Sequence, residues 1–285
     1  MASVEWRIAN GNSNFQLPTK EDSMGKRVVL SVAAHGDDVE FMAGGTLAWL
    51  AREGHDVYLA IATDNDRGSL RLSAAELKAI ARPEAEGAAT ALGAKGVFML
   101  GYTDGDLCDV PPAVLRGQVM RLVRQLKADV IFSWDPFAPF ENHPDHRAIA
   151  WATCDASSFA QLPLYHPEHL AEGLQPHRVS EWYWYSKAGW QTNKLVDISS
   201  TMDQKLAALY AYACQMVLTI DEFLEEARAA GVDEAKLAGI DATDYRPWTA
   251  LGMQAVNAKL GAEIGVTYAE AFRYTCVEVP EFFKP

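Results

Sequence analysis

Four short apolar runs mark the first half of the chain, each followed by a longer stretch with helical spacing. Residues 27–34 (RVVLSVAA) and 56–63 (DVYLAIAT) are almost continuously apolar, as strands covered on both faces require. Residues 96–100 and 129–134 (DVIFSW) repeat the pattern. Between them, Gly44-Gly45 opens a helical spacing through Leu47, Leu50 and Ala51 that stops at Gly54. Residues 73–92 read as a helix closed by Gly93, with Ser73 and Glu76 at capping-box spacing. Pro83 predicts a kink or break within it. Residues 112–127 are amphipathic, and a further helix runs from Pro144, well placed in a first turn, to about residue 160.

Strands that alternate with helices predict right-handed crossovers and a mainly parallel sheet. The expected fold is a Rossmann-like three-layer α/β/α arrangement. Further strands are expected at residues 181–185 and 194–198, then helices at 201–212, 220–230 and 249–261 and an extended piece at 274–279. That second half reads as a helical C-terminal elaboration. At 285 residues the chain suits one domain over residues 27–285, after a polar N-terminal extension at 1–26.

Composition narrows the function classes. With 49% apolar and 22% charged residues the chain has the balance of a globular protein and not of a disordered one. A net charge of −13 argues against nucleic acid or an anionic membrane as partner and suits a neutral or cationic small molecule. Residues 1–26 lack the apolar core of a signal peptide, and no stretch reaches the roughly 20 apolar residues of a membrane helix. Cys108, Cys154, Cys214 and Cys276 are scattered without a CxxC pair, so core thiols in a reducing compartment are expected. The protein is expected to be cytoplasmic.

Two segments concentrate the chemistry. His35-Gly36-Asp37-Asp38-Val39-Glu40 follows the first apolar run, and His143-Pro144-Asp145-His146 follows the fourth. Open α/β sheets place their ligands beyond the C-terminal ends of strands, so the two segments can meet. His35 and Asp38 can face one point if Gly36 lets the chain turn, and His143 and His146 share a helix face. Spacing alone nominates up to four metal ligands and leaves open which of the latter two histidines binds. An Asp-Asp pair after a strand also serves as a helix cap. The conjunction favours a mixed His/Asp set of the kind that holds zinc with one position open. Fe²⁺ or Co²⁺ suits the same donors.

These motifs resemble the PIG-L/LmbE-like family of zinc-dependent N-acetylglucosaminyl deacetylases, whose signature is A-H-P-D-D-x-E-x-x-x-G-G-T followed later by H-P-D-H. This chain has Ala34-His35-Gly36-Asp37-Asp38-Val39-Glu40, then Gly44-Gly45-Thr46 and the second motif intact, with Gly36 for proline as the one departure. Arg82-Pro83-Glu84, Asp104-Gly105, the segment Lys205 to Gln215 and Tyr268-Ala269-Glu270-Ala271-Phe272 resemble secondary family features. The resemblance implies zinc bound by His35, Asp38 and His146, with Asp37 as general base. It further implies His143 as oxyanion stabiliser or general acid, and Asp145 as orienter of a histidine. The implied reaction removes an acyl group, by default acetyl, from an N-acetylglucosamine-type small molecule, and family members often form homo-oligomers. Which of Asp37 and His143 protonates the departing amine stays open.

Arg67 and Asp104, on strand-end loops, are candidates for binding substrate hydroxyls or for a surface salt bridge. Glu40 either bonds the ligand loop or sits early in a helix, and Trp134, Phe137 and Phe140 form an apolar platform or pack beneath their loop. Rival readings are a hydrolase of a non-sugar amide and a catalytically silent metal- or sugar-binding protein. A nucleotide-binding oxidoreductase is disfavoured, since no GxGxxG follows any strand.

Overall fold

The computed structural model describes residues 25–278. The expected extension at residues 1–26 thus lies almost wholly outside the described residues. Strands β1 (Val28–Ala33), β2 (Asp56–Thr63), β3 (Gly96–Tyr102), β4 (Val130–Trp134), β5 (Glu181–Tyr185), β6 (Lys194–Asp197) and β7 (Ala269–Cys276) form one sheet in the order β3-β2-β1-β4-β5-β7-β6. Pairing is parallel from β3 to β5, while β7 runs antiparallel to both its neighbours. The α/β expectation and the mainly parallel sheet are both present.

The helices are α1 (Asp38–Arg52), α2 (Ala74–Leu92), α3 (Pro112–Leu126), α4 (Pro144–Phe159), α5 (Glu168–Ala171), α6 (Met202–Ala211), α7 (Ala213–Ala229), α8 (Glu234–Leu237) and α9 (Tyr245–Ile264). Helices α1, α2 and α6 pack together, as do α3 and α4. The main core lies between these helices and the sheet, where Val29, Leu30, Val32, Val57, Leu59, Ile131 and Phe132 are completely buried. Their near-continuous apolar character is what burial of both strand faces demands. The C-terminal elaboration adds a small core of its own around Ile220, Leu224, Leu237 and Ala242. Among the described residues no helix is long and apolar enough to cross a membrane.

Sheet order places the site. The chain goes from β1 outward through β2 to β3, then returns to lay β4 on the other side of β1. The gap between β1 and β4 is therefore the switch point where open α/β sheets leave a crevice. Both motifs open onto it, because β1 leads into α1 and β4 into α4.

Several expected boundaries move. Helix α1 begins at Asp38, six residues before the glycine pair, so Gly44 and Gly45 lie inside it and do not start it. Helix α2 continues through Pro83, its buried alanine stripe (Ala81, Ala85, Ala88, Ala89) holding both halves to one surface. Its capping box and left-handed Gly93 are as expected. Helix α7 starts at Ala213 and not at 220, and the last strand is Ala269–Cys276 in place of 274–279, of which residue 279 lies outside the described residues. That strand is obscured in the sequence by its buried Glu270, whose carboxylate is satisfied only by distant parts of the chain. The cysteines are free; Cys108 is exposed, and of the half-buried others Cys154 packs against the main core, so the expectation that most are core thiols holds only in part.

Candidate metal centre

The loop after β1 is held almost entirely through its backbone. The Asn65 side chain clasps the Gly36 peptide, accepting from its N–H at 2.9 Å and donating to its carbonyl at 3.0 Å. Glycine is required here by space: a Cβ at residue 36 would lie 2.4 Å from Cε1 of Tyr212. Asp38 Oδ2 accepts from the N–H groups of Ala34 (3.0 Å) and His35 (2.9 Å) and from Trp134 Nε1 (2.9 Å). Three donors on one oxygen fix the carboxylate and leave Oδ1 for the cleft. Asp37 occupies the N-cap position of α1 with φ of 100°, yet its side chain makes no capping bond. A non-glycine residue in that region stores strain, a pattern that clusters at functional sites. The simple capping reading of the Asp-Asp pair therefore does not describe Asp37.

Across the switch point the second motif begins α4, with His143 as N-cap and Pro144 in the first turn. His146 Nε2 comes within 3.1 Å of His35 Nδ1 and 3.2 Å of Asp38 Oδ1, while His35 Nδ1 is 3.7 Å from Asp38 Oδ2. Ligand atoms around a tetrahedral zinc, with bonds of 2.0–2.1 Å, stand about 3.3 Å apart. The contacts of His146 Nε2 with His35 Nδ1 and with Asp38 Oδ1 match that spacing, whereas the Asp38 oxygen nearest His35 is Oδ2; His35, His143 and His146 likewise come close enough together to share an ion. His35 is backed by carboxylates, its Nε2 lying 3.0 Å from Asp104 Oδ1 and 3.4 Å from Asp145 Oδ2, while Glu141 Oε1 lies 3.2 Å from His146 Nδ1 as an ion-pair neighbour without hydrogen-bond alignment. Carboxylates in this position orient metal-ligating histidines and leave the opposite nitrogen its lone pair. The Trp134 ring stacks on His146 at 4.0 Å, so it packs against the site and forms no open platform.

His143 stands beside the trio, its ring 4.5 Å from both His35 and His146. Its Nδ1 accepts the Asp145 backbone N–H at 3.2 Å, which places the proton of the neutral ring on Nε2. Asp145, fully buried, accepts from the N–H groups of Gly105 (2.6 Å) and Leu107 (3.0 Å) and so ties the loop after β3 to α4.

The electrostatics follow from this packing. Burial opposes charge on His35 and His146, but the surrounding carboxylates outweigh it and raise both above the ordinary imidazole value. Burial likewise opposes charge on Asp38, and the imidazoles overcome it and hold the carboxyl low. Asp37 goes the other way: burial raises it, and the adjacent Asp38 charge adds to the rise. Burial lowers His143, helped by the neighbouring imidazoles.

The remaining candidates separate. Asp104 is brought against His35, and its backbone N–H is held by Asp66 at 2.9 Å. Arg67 is not brought to the trio, since it forms a bidentate pair with Asp106 (2.6 and 2.9 Å) at the exposed rim. Phe137 packs edge-on against Trp151, whereas Phe140 is 95% exposed. Asn65, Glu141 and the Arg273 clamp on Asp135 (2.5 and 2.7 Å) do not stand out in the sequence, although all three acceptors sit on strand-end loops of this face. A second histidine–carboxylate group, His166, Glu168 and His169, lies elsewhere in the chain.

A sheet of this topology with imidazoles and carboxylates gathered at its switch point defines a class of α/β enzymes that work through a bound ion. A family model described as PIG-L, GlcNAc-PI de-N-acetylase, matches residues 30–157, which include both motifs. The chain is 31% identical over 199 residues to a diacetylchitobiose deacetylase of Thermococcus kodakarensis, covering 69% of this chain and 73% of the relative. It is 26% identical over 225 residues to a 4-oxalmesaconate hydratase of Pseudomonas putida, covering 75% and 84%. Among solved structures it resembles the N,N′-diacetylchitobiose deacetylase of Pyrococcus horikoshii in complex with its inhibitor MPG. That match has a TM-score of 0.72 and 28% identity over 91% of this chain and 88% of the other. The chain belongs to the PIG-L family of deacetylases.

Proposed function

We propose that this chain hydrolyses the N-acetyl group of an N-acetylglucosamine-type saccharide, with a divalent cation, zinc by preference, held by His35, Asp38 and His146. The observation that carries the reading is Asp37, strained, uncapped and next to the trio. A metal in that position supplies Lewis acidity and makes water a stronger acid. Asp37 accepts the proton of the attacking water; its raised pKa suits it to hold that proton and pass it to the departing amine. The Nε2–H of His143 donates to the amide oxygen, which takes up the negative charge as water adds to the carbon, and the Asp145 peptide keeps that ring in the donor tautomer. Asp104 and Asp145 hold His35, and Glu141 places a negative charge beside His146.

The hydratase relative marks a second reading, since hydration also needs an activated water. The surroundings favour a neutral saccharide over a polyanionic acid. Asp66, Asp104, Asp106 and Asp145 line the loops, and the Arg67 guanidinium is already paired. The deciding experiment combines metal content with acetate release from N,N′-diacetylchitobiose for wild type and Asp37→Ala. Expected are one metal per chain in both and a rate reduced about 10²–10⁴-fold in the variant. Metal lost along with activity would refute the division between base and ligand. Hydration of an unsaturated acid by a wild type that releases no acetate would favour the second reading.

A further inference from the structure

Two distant side chains bond the backbone of helix α1 one turn after its start, at the groups of Phe41 and Gly45 that an α-helix pairs with each other. Here Lys205 Nζ, from α6, donates to the Phe41 carbonyl at 2.7 Å. Glu270, from β7, accepts the Gly45 N–H on one oxygen (3.0 Å) and both the N–H and hydroxyl of Thr46 on the other (2.8 and 2.6 Å). The two side chains pair at 2.6 Å and are completely buried. An ammonium thus stands on a carbonyl of the first turn, and a carboxylate stands on the N–H groups of the turn that follows. Those are the signs that helix ends prefer. The glycine pair makes room, because a Cβ at Gly44 would lie 3.3 Å from Lys205 Cγ and one at Gly45 would lie 2.7 Å from Ile198 Cβ.

The turn that Lys205 contacts is the first of α1 and starts at the site. Phe41 N–H donates to the Asp37 carbonyl at 2.9 Å, and Asp38 is its first helical residue. Lys205 is therefore two hydrogen bonds from the Asp37 backbone. We propose that Lys205 and Glu270 are positioning residues that set the seat of this turn, and through it the aim of the Asp38 and Asp37 carboxylates into the cleft. The proposal rests on the reading of Asp38 as a metal ligand. It gives Gly44-Gly45-Thr46, Lys205 and Glu270, far apart in the chain, one shared task.

A purely structural pair makes a different prediction. Replacing a buried ion pair by apolar residues of similar size is often neutral for stability. The test is therefore the double variant Lys205→Met/Glu270→Leu, read by melting temperature and by the zinc dissociation constant in competition with a chromophoric chelator. Expected is a double variant that still unfolds cooperatively at a lowered melting temperature, with zinc binding to the folded protein weakened tenfold or more. Unchanged zinc binding in the folded double variant would overturn the proposal. If the double variant does not fold, Thr46→Val decides: it removes one bond to Glu270 and should weaken zinc two- to threefold, whereas an unchanged constant refutes the positioning role. A wild type that binds no zinc would overturn both this proposal and the metal reading, while zinc bound alike by wild type and variants overturns only the former.

Discussion

Two groups of histidines and carboxylates in this molecule look alike in composition and differ in what stands behind them. At the switch point carboxylates stand near the far nitrogens of His35 and His146, Asp104 hydrogen-bonding the first and Glu141 3.2 Å from the second, while the near nitrogens face one another and Asp38. In the His166–His169 group Glu168 stands at His166 Nδ1 (2.8 Å), but His169 faces Arg124, which donates to its Nδ1 at 3.2 Å. Because a guanidinium only donates, the proton of the neutral His169 ring sits on Nε2, where a metal ligand needs a lone pair. Burial and the nearby arginines Arg121 and Arg124 also push His169 below its ordinary pKa. Arg124 meanwhile donates to the carbonyls of Ala160, Leu162, Tyr165 and His166 and staples that segment to α3. The first group is built to receive a cation and the second to satisfy one already present.

The largest effect expected from breaking this contrast is at His146. His146→Ala should abolish stoichiometric metal binding and cut activity by at least about 10³-fold, measured by metal analysis and acetate release. Retained metal would transfer the third ligand position to His143. Asp104→Asn removes the charge behind His35 while keeping its shape, and metal affinity should fall about 10–100-fold. An unchanged affinity would leave Asp145 as the group that orients His35.

A finer contrast lies within one motif. Asp38 is held low by its imidazoles, whereas Glu40, two residues on, is pushed up to about 8 by burial. Its Oε1 has no hydrogen-bond partner among the described residues. A carboxyl raised in the fold contributes stability below its unfolded value near 4.5 and loses it as pH rises through about 8. In chelator, the stability of wild type relative to Glu40→Gln should therefore decline between pH 5 and 8, by up to about 1.4 kcal/mol per unit. Parallel denaturant curves for the two proteins across that range would place Glu40 in contact with water. The smallest effect belongs to the second group. His166→Ala and His169→Ala should leave metal stoichiometry untouched, and loss of an equivalent in either variant would dissolve the distinction between the two groups.

The fold was legible where local pattern and burial agree. Residues 56–63 and 181–185 are strands end to end, because their apolar runs are bounded by polar or turn residues and both faces are covered. Helix α2 declares its ends through Ser73, Glu76 and Gly93. Legibility fails where a residue answers to a distant partner. Gly44-Gly45 reads as a helix start, and only the approach of Ile198 and Lys205 shows why glycines belong in mid-helix. Glu270 interrupts an apolar strand pattern, and only Lys205 and the α1 peptide groups explain a buried carboxylate there.

The sequence by itself determined the alternation of strands and helices, the presence of two acid-and-imidazole motifs at strand ends, and the family they resemble, since all of these depend on neighbours in the chain. Tertiary structure alone decided which nitrogen of each ring faces the cleft, that Asp104 stands behind His35, and that Arg67 is spent on Asp106. The physical reason is range. A contact of 3.1 Å between His35 and His146, 111 residues apart, is set by β4 returning to the side of β1 and by backbone donors that fix each carboxylate, and no local pattern encodes either.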